Sequence, residues 1–206
     1  MIIIAFEGLD KSGKASQSEL LYKALYERGI AVEKSEFHRY DTPTGQLIRK
    51  FLDGEYSPNQ LAVECIMAAD KYAQLDWFNE IQESVDVLIL DRYLTSQIVY
   101  SKSNGIDTDF VLNLLERMPE PNFHFFLDIN SQESMERKGE HGENDRYESN
   151  VSLLNSVRDN YLRLMKIEEE DGRAIILDGT LPIQELHQQI LDKTLSLLEI
   201  KKVALL

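Results

Sequence analysis

The first sixteen residues, MIIIAFEGLDKSGKAS (1–16), decide the fold. An unbroken apolar run, Met1 to Phe6, passes through Glu7 into a loop, and a helical pattern begins at Lys14. Such a run reads as a strand buried on both faces of a parallel sheet. The loop, Gly8-Leu9-Asp10-Lys11-Ser12-Gly13-Lys14, is G-x-x-x-x-G-K set between strand and helix. Glycines let the backbone curl until several N–H groups face one anion. The helix start adds its partial positive charge, and Lys14 adds a full one for β- and γ-phosphates. The stretch from Gly8 to Ser16 therefore predicts a cradle for the phosphates of a nucleotide. One position departs from the motif. Ala15 stands where a serine or threonine usually offers its hydroxyl to Mg²⁺. A methyl group cannot ligate a metal, so Mg²⁺ would rest on nucleotide oxygens, water and a carboxylate elsewhere. The hydroxyl of Ser16 is placed for an α-phosphate.

Further along the chain, apolar runs alternate with helical patterns. Val85 to Leu90, Phe123 to Ile129 and Ala174 to Leu177 predict buried strands, and Ile30 to Phe37 a weaker one. Residues 14–28 place Leu20, Leu21, Ala24 and Leu25 on one helical face and stop at Gly29. Ser57-Pro58 reads as an N-cap with proline in the first turn of a helix over 58–84. Its expected buried stripe is Leu61, Cys65, Ala68, Ala69, Tyr72 and Leu75. Helices are also predicted over 93–102, 149–170 and 182–198. This alternation implies an α/β fold with a mainly parallel sheet covered on both faces. No linker interrupts it, so residues 1–206 read as a single domain. Lys138 to Asp145, charged and without periodicity, reads as a mobile surface loop.

Acidic residues outnumber basic ones 36 to 22, for a net charge of −14. That surface repels phosphate backbones and argues against general nucleic-acid binding. A few cations can still dominate one cleft. The one cysteine, Cys65, permits no internal disulfide and fits a reducing cytoplasm. It reads as a small core residue. The four histidines lack ligand spacing, so no zinc site is expected. No apolar run approaches the ~20 residues of a membrane span, and the start lacks the basic flank of an export signal.

Asp91-Arg92-Tyr93 follows the strand VDVLIL, at the end of a parallel strand where ligands bind. Asp91 can anchor a metal-bound water, and Arg92 can grip phosphate bidentately. Here FEGLDKSGKASQ, followed by DRYLTSQIVY, resembles the thymidylate kinase family of P-loop nucleoside monophosphate kinases. The likeness continues in order along the chain. Phe37 to Pro43 with Gly45 is similar to the family's acceptor-phosphate segment. Ala69-Asp70-Lys71 resembles its A-x-R helix motif. Arg137 with Asp145 to Glu148 resembles its lid, and Asp178-Gly179-Thr180 its adenine loop.

The resemblance implies phosphoryl transfer from ATP to dTMP with Mg²⁺, on a three-layer P-loop NTPase fold. It implies a five-stranded parallel sheet with helices on both faces, a short lid at about 137–148, and a homodimer. Lys11, Lys14 and Arg92, with Arg137, would meet the charge of the transferring group. Lys11 occupies a variable loop position of the family that is basic where the lid lacks an arginine, and Gly139 to Asp145 holds no arginine or lysine. Asp10 would face the acceptor sugar and phosphate, and Asp91 would hold Mg²⁺ through water. Phe37, Arg39, Tyr40, Met67, Lys71, Ser96 and Tyr100 would form the acceptor site, Tyr100 crowding out a ribose 2′-hydroxyl.

The departures fall on the acceptor side. His38 replaces proline, Tyr40 stands where arginine is common, and Lys71 replaces arginine. Met67 stands where an aromatic often stacks on the base. They keep open a kinase for another deoxynucleoside or modified pyrimidine monophosphate. Ala15 keeps open a nucleotide-binding protein with weakened catalysis. A GTPase lacks support, because no N-K-x-D motif is present.

Overall fold

The computed structural model describes residues 1–137, 146, 147 and 149–204, the last four as backbone only. The elements in chain order are β1 (Ile2–Glu7), α1 (Lys14–Tyr26), β2 (Val32–Glu36), α2 (Pro43–Leu52), α3 (Gln60–Tyr72), α4 (Leu75–Ile81), β3 (Val87–Asp91), α5 (Leu94–Ser103), α6 (Thr108–Leu115), β4 (Phe123–Asp128), α7 (Ser131–Glu136), α8 (Val151–Glu170), β5 (Ala174–Asp178) and α9 (Ile183–Ala204). The five strands form one parallel sheet in the order β2-β3-β1-β4-β5.

The expected strands are all present, and their continuous apolar runs have the reason inferred from sequence. Ile2, Ile4 and Phe6 of β1 pack with Leu21, Leu25 and Ile190 from α1 and α9 on one face. The alternate residues, Ile3 and Ala5, pack with Leu88, Leu90, Phe78 and Val111 on the other. A second cluster on that face joins Phe126 to Val157, Tyr161 and Met165 of α8. Successive side chains of a strand point to opposite faces, so both faces need apolar residues when both are covered.

The register brings Phe6 opposite Asp91. The loop after β1 and the Asp91-Arg92 corner therefore leave the sheet side by side. Of the lid segment, only Arg137, Arg146 and Tyr147 are described. Lys138 to Asp145 and Glu148 lie outside the described residues.

The region around α3 corrects the sequence reading. The cap is Asn59, whose side chain accepts from Leu61 N, not Ser57 before Pro58. The expected single helix divides into α3 and α4. Cys65 is exposed rather than in the core, and Leu61 and Ala69 of the same stripe are exposed too. The inward face of α3 instead carries Val63, Glu64, Met67, Ala68, Asp70 and Lys71. Half of that face is ionisable. An apolar-stripe argument cannot find it, because each charge is tolerated only through partners on distant elements.

Candidate active site

The loop from Gly8 to Gly13 owes its shape to residues with unusual backbone angles. Gly8 has φ 147°, and a Cβ there would lie 2.6 Å from Leu127 O and 2.7 Å from Ser12 Oγ. Gly13 (φ 101°) caps α1 in the left-handed region. Lys11 also adopts a positive φ, 63°, without being glycine. Lys14 is buried, and its Nζ donates to Leu9 O at 2.8 Å. Burial, reinforced by Arg92's charge, lowers its pKa to about 8 against the pull of Asp91, Asp10 and Glu7. Ser12 is buried as well, and its Oγ lacks a partner among the described residues.

Arg137 fastens this loop to the turn after β5. Its guanidinium donates to Lys11 O (3.2 Å) and Gly179 O (3.1 Å), and also pairs with Glu133. Gly179 N donates to Asp128 O at 2.9 Å, and a Cβ at Gly179 would meet Ile129 Cγ2 at 2.8 Å. Asp178 Oδ1 accepts from Thr180 N and Oγ1 at 2.9 and 2.6 Å. All three residues expected at the adenine loop thus sit on one tight turn against the phosphate loop. Ala15 and Ser16 are exposed at the first turn of α1. Ala15, Ser18 and Asp91 open together on a cleft of about 540 Å³. Burial pushes the Asp91 carboxyl up, opposed by Lys14 and Arg92.

Arg92, at φ 61°, turns back over the phosphate loop. Its NH2 lies 2.5 Å from Asp10 Oδ1, and its NH1 3.2 Å from Ser96 Oγ. Tyr100 OH donates to the other oxygen of Asp10 at 3.1 Å. Burial alone would raise Asp10; Arg92 and Lys14 overcome it and hold the pKa at about 2. Behind this pair lies Glu7, fully buried. It accepts from Ser96 Oγ (2.5 Å), Tyr161 OH (2.9 Å) and Tyr93 N (3.1 Å). Burial nevertheless pushes its carboxyl up.

A second cleft adjoins this wall. Among its lining residues are Asp10, Phe37, His38, Tyr40, Met67, Lys71, Arg92, Ser96, Gln97, Tyr100 and Tyr147. The structure thus brings together every expected acceptor residue except Arg39. The guanidinium of Arg39 pairs instead with Asp41 and Gln74 and lines the wider cleft beside Asp91. Lys71 is buried and donates to Gln97 Oε1 at 2.9 Å. Burial lowers its pKa to about 8, resisted by Asp70 and Glu64. Gln97 Nε2 donates in turn to the backbone oxygen (3.0 Å) and Oε2 (3.2 Å) of Glu64. Both donors of that amide are thereby used. What remains for a ligand is an acceptor lone pair on Gln97 beside a donor on Lys71.

Glu7, Glu64, Asp70, Gln97, Tyr147 and Tyr161 were not expected at the site itself, although all but Glu64 and Tyr161 fall within the stretches that carry the family likeness. Glu7 had a visible signal, a carboxylate closing a six-residue apolar run. The others reach the site through pairings across more than twenty-five residues of chain, such as Ser96 to Tyr161 at 2.7 Å.

The family profile described as Thymidylate kinase matches residues 6–190. A probable thymidylate kinase of Methanococcus aeolicus is 30% identical over 195 residues, covering 92% of this chain and 94% of that protein. The thymidylate kinase of Schizosaccharomyces pombe is 29% identical over 191 residues, covering 92% and 90%. The solved thymidylate kinase of Candida albicans superposes with a TM-score of 0.77 at 24% identity, over 98% of this chain and 92% of that one, and shares the fold.

Proposed function

We propose that this chain, which belongs to the thymidylate kinase family, transfers the γ-phosphoryl group of ATP to dTMP, giving ADP and dTDP. One observation carries the reading. Arg92 pairs with Asp10 of the phosphate loop at 2.5 Å while lining the neighbouring cleft, so the donor cradle and the acceptor cleft share a wall.

An oxygen of the acceptor phosphate attacks the γ-phosphorus, and the bond to the β-bridging oxygen breaks. The transition state is loose, with negative charge spread over the transferring oxygens. Positioned cations therefore supply most of the catalysis. Lys14 meets the β- and γ-oxygens, Lys11 the transferring group, and Arg92 the acceptor phosphate. Arg137 keeps the loop and the adenine turn in register through its carbonyl bonds. Asp10 and Tyr100 together face the acceptor sugar. Phe37 and Met67 flank the base. A thymine edge offers N3–H beside O4, which complements the acceptor of Gln97 and the donor of Lys71. Cytosine presents the opposite pattern and would leave both groups unpaired.

The donor set suits Mg²⁺ held at a distance. The Ser18 hydroxyl is engaged with Ala15 O at 3.0 Å, and Ala15 offers no ligand. Among the carboxylates on that cleft, Asp91 is the one whose charge acts on Lys14, and the cleft has room for a hydrated ion. Mg²⁺ commonly keeps several waters and uses one or two carboxylates with substrate phosphates. Asp91 would hold it through water, and the ion would neutralise phosphate charge.

Two finer assignments go with the reaction. The chain works in a reducing cytoplasm, which the exposed thiol of Cys65 supports. It pairs as a homodimer through the outer face of α3, where Leu61 is 49% exposed. Sedimentation velocity should then give twice the 23.8 kDa chain mass.

A coupled ADP-release assay over dTMP, dUMP, dCMP and dGMP tests the reaction. dTMP should lead, with dCMP at least about 100-fold lower in kcat/KM. ADP release unaffected by every monophosphate would overturn the assignment.

A further inference from the structure

The acceptor cleft contains a polar group that phosphorylation of dTMP leaves unused. His38 follows Phe37 on the cleft wall. Its Nδ1 lies 3.1 Å from Asp70 Oδ2. Asp70 is fully buried and also accepts from Arg39 N (3.1 Å) and Thr44 Oγ1 (2.7 Å). An ionised carboxylate only accepts, so Nδ1 of His38 carries the proton and Nε2 is left with a lone pair. Burial, aided by the Lys71 charge, holds the imidazole neutral with a pKa of about 4, over the opposing pull of Asp70. No group among the described residues bonds to Nε2, and the side chain keeps 14% of its surface open.

The direction of a bound base follows from its neighbours. Lys71 Nζ lies 2.9 Å from Gln97 Oε1 and 5.7 Å from the centroid of the Phe37 ring. A pyrimidine with N3–H on Gln97 and O4 on Lys71 turns its next ring position, C5, away from Gln97. That leads along the wall toward Phe37 and His38. A 5-methyl group brings no proton to a lone pair there, whereas a 5-hydroxymethyl group does. A base seated in the cleft takes water away from Nε2, and an acceptor covered without a partner is costly, so pairing it is favourable.

We propose that His38 reads the 5-substituent of the acceptor base, and that the preferred acceptor is a pyrimidine deoxynucleoside monophosphate carrying a hydroxyl on that substituent. The proposal rests on the kinase reading of the same cleft and ranks a second acceptor above dTMP there. The probe is 5-hydroxymethyl-dUMP, compared with dTMP and dUMP by kcat/KM in the wild type and in His38→Phe. The wild type should favour 5-hydroxymethyl-dUMP over dTMP by about five- to tenfold, the scale of one neutral hydrogen bond. His38→Phe should invert that order, because an apolar ring favours the methyl group. Should the variant fail to fold, nitrogen NMR of the wild type decides. Binding of 5-hydroxymethyl-dUMP should shift the Nε2 resonance of His38, and dUMP should leave it in place.

A wild-type ratio at or below one overturns the inference, as does a ratio that His38→Phe leaves unchanged or an Nε2 signal that 5-hydroxymethyl-dUMP leaves in place. Loss of turnover on all three nucleotides would instead overturn the kinase reading.

Discussion

Lys11 combines two demands at one position. Its backbone lies in the left-handed region at φ 63°, which costs an ordinary L-residue about 1 kcal/mol. A glycine would relieve that strain but would lose roughly the same amount through its greater freedom in the unfolded chain. The two terms nearly cancel, so Lys11→Gly should leave the thermal midpoint within about 2 °C. Turnover should behave differently. If the ammonium meets the transferring oxygens, kcat should fall by ~10²-fold, the scale of a lost oxyanion donor. Lys11→Met keeps the backbone cost and loses the charge, and its kcat should fall equally. Steady-state kinetics beside calorimetry separates these effects, and an unchanged kcat in both variants would take the lysine out of the mechanism. The G-x-x-x-x-G-K spacing made Lys14 and the glycines legible, because backbone chemistry alone requires them. It was silent on Arg137 as the tie to Gly179, since that bond joins residues 42 apart in the chain.

Helix α3 is the element whose role departs most from its pattern. Its C-terminal turn carries Asp70 under the segment from His38 to Thr44, which it organises. Thr42 Oγ1 lies 3.0 Å from Asp70 Oδ1, in addition to the bonds from His38, Arg39 and Thr44. Gly45 lets that segment pass closely, since a Cβ there would lie 1.8 Å from Arg39 O. Asp70→Asn keeps one acceptor oxygen and turns an amide N–H₂ toward donors. The loss should be about 2–3 kcal/mol, or about 5–10 °C in the melting midpoint, with a higher KM for the acceptor than for ATP. Burial would raise the Asp70 pKa, yet its bonds from His38, Thr44 and the backbone bring it down to about 2. A depressed carboxylate stabilises above its unfolded value of 3.8 and loses that contribution as the pH falls toward 2. The gap between wild type and variant should therefore be full at neutral pH and close on acidification through that range. A gap independent of pH would show that the Asp70 charge is not what holds the segment. The strands and α1 were legible because their burial is apolar and periodic. The inward face of α3 was legible at Met67 and Lys71 through the family likeness alone; Glu64 and Asp70 are buried by partnership, and a single sequence does not display partners.

At the scale of the whole molecule, a chain of net charge −14 gathers Lys14, Lys71 and Arg92 around adjoining clefts. The parallel sheet makes this possible by sending β1 and β3 out at the same end, with Phe6 beside Asp91. That much follows from alternating strands and helices. The mutual repulsion of the cations and their desolvation do not, and they lead to a prediction in which activity and stability oppose each other. Lys14 and Lys71 each have a folded pKa lowered to about 8 from 10.5, chiefly by burial. In the free enzyme both ammonium groups lose protons as the pH rises through 8, so kcat/KM should fall above about pH 8. Stability has the opposite sign. Between about 8 and 10.5 the unfolded chain binds more protons at these lysines than the folded one, so their contribution to folding improves with pH. Below that window each lysine is a buried charge that weakens the fold. Lys14→Met should therefore abolish turnover while raising the melting midpoint at pH 7. Its advantage should shrink across pH 8 to 10.5, as the wild-type lysine becomes neutral and the cost of burying its charge disappears. Calorimetry of both proteins from pH 6 to 10.5 measures this directly. A variant less stable than wild type at pH 7 would mean that the bond from Lys14 to Leu9 outweighs the desolvation of its charge, and that the phosphate loop is held together by the same cation that serves its chemistry.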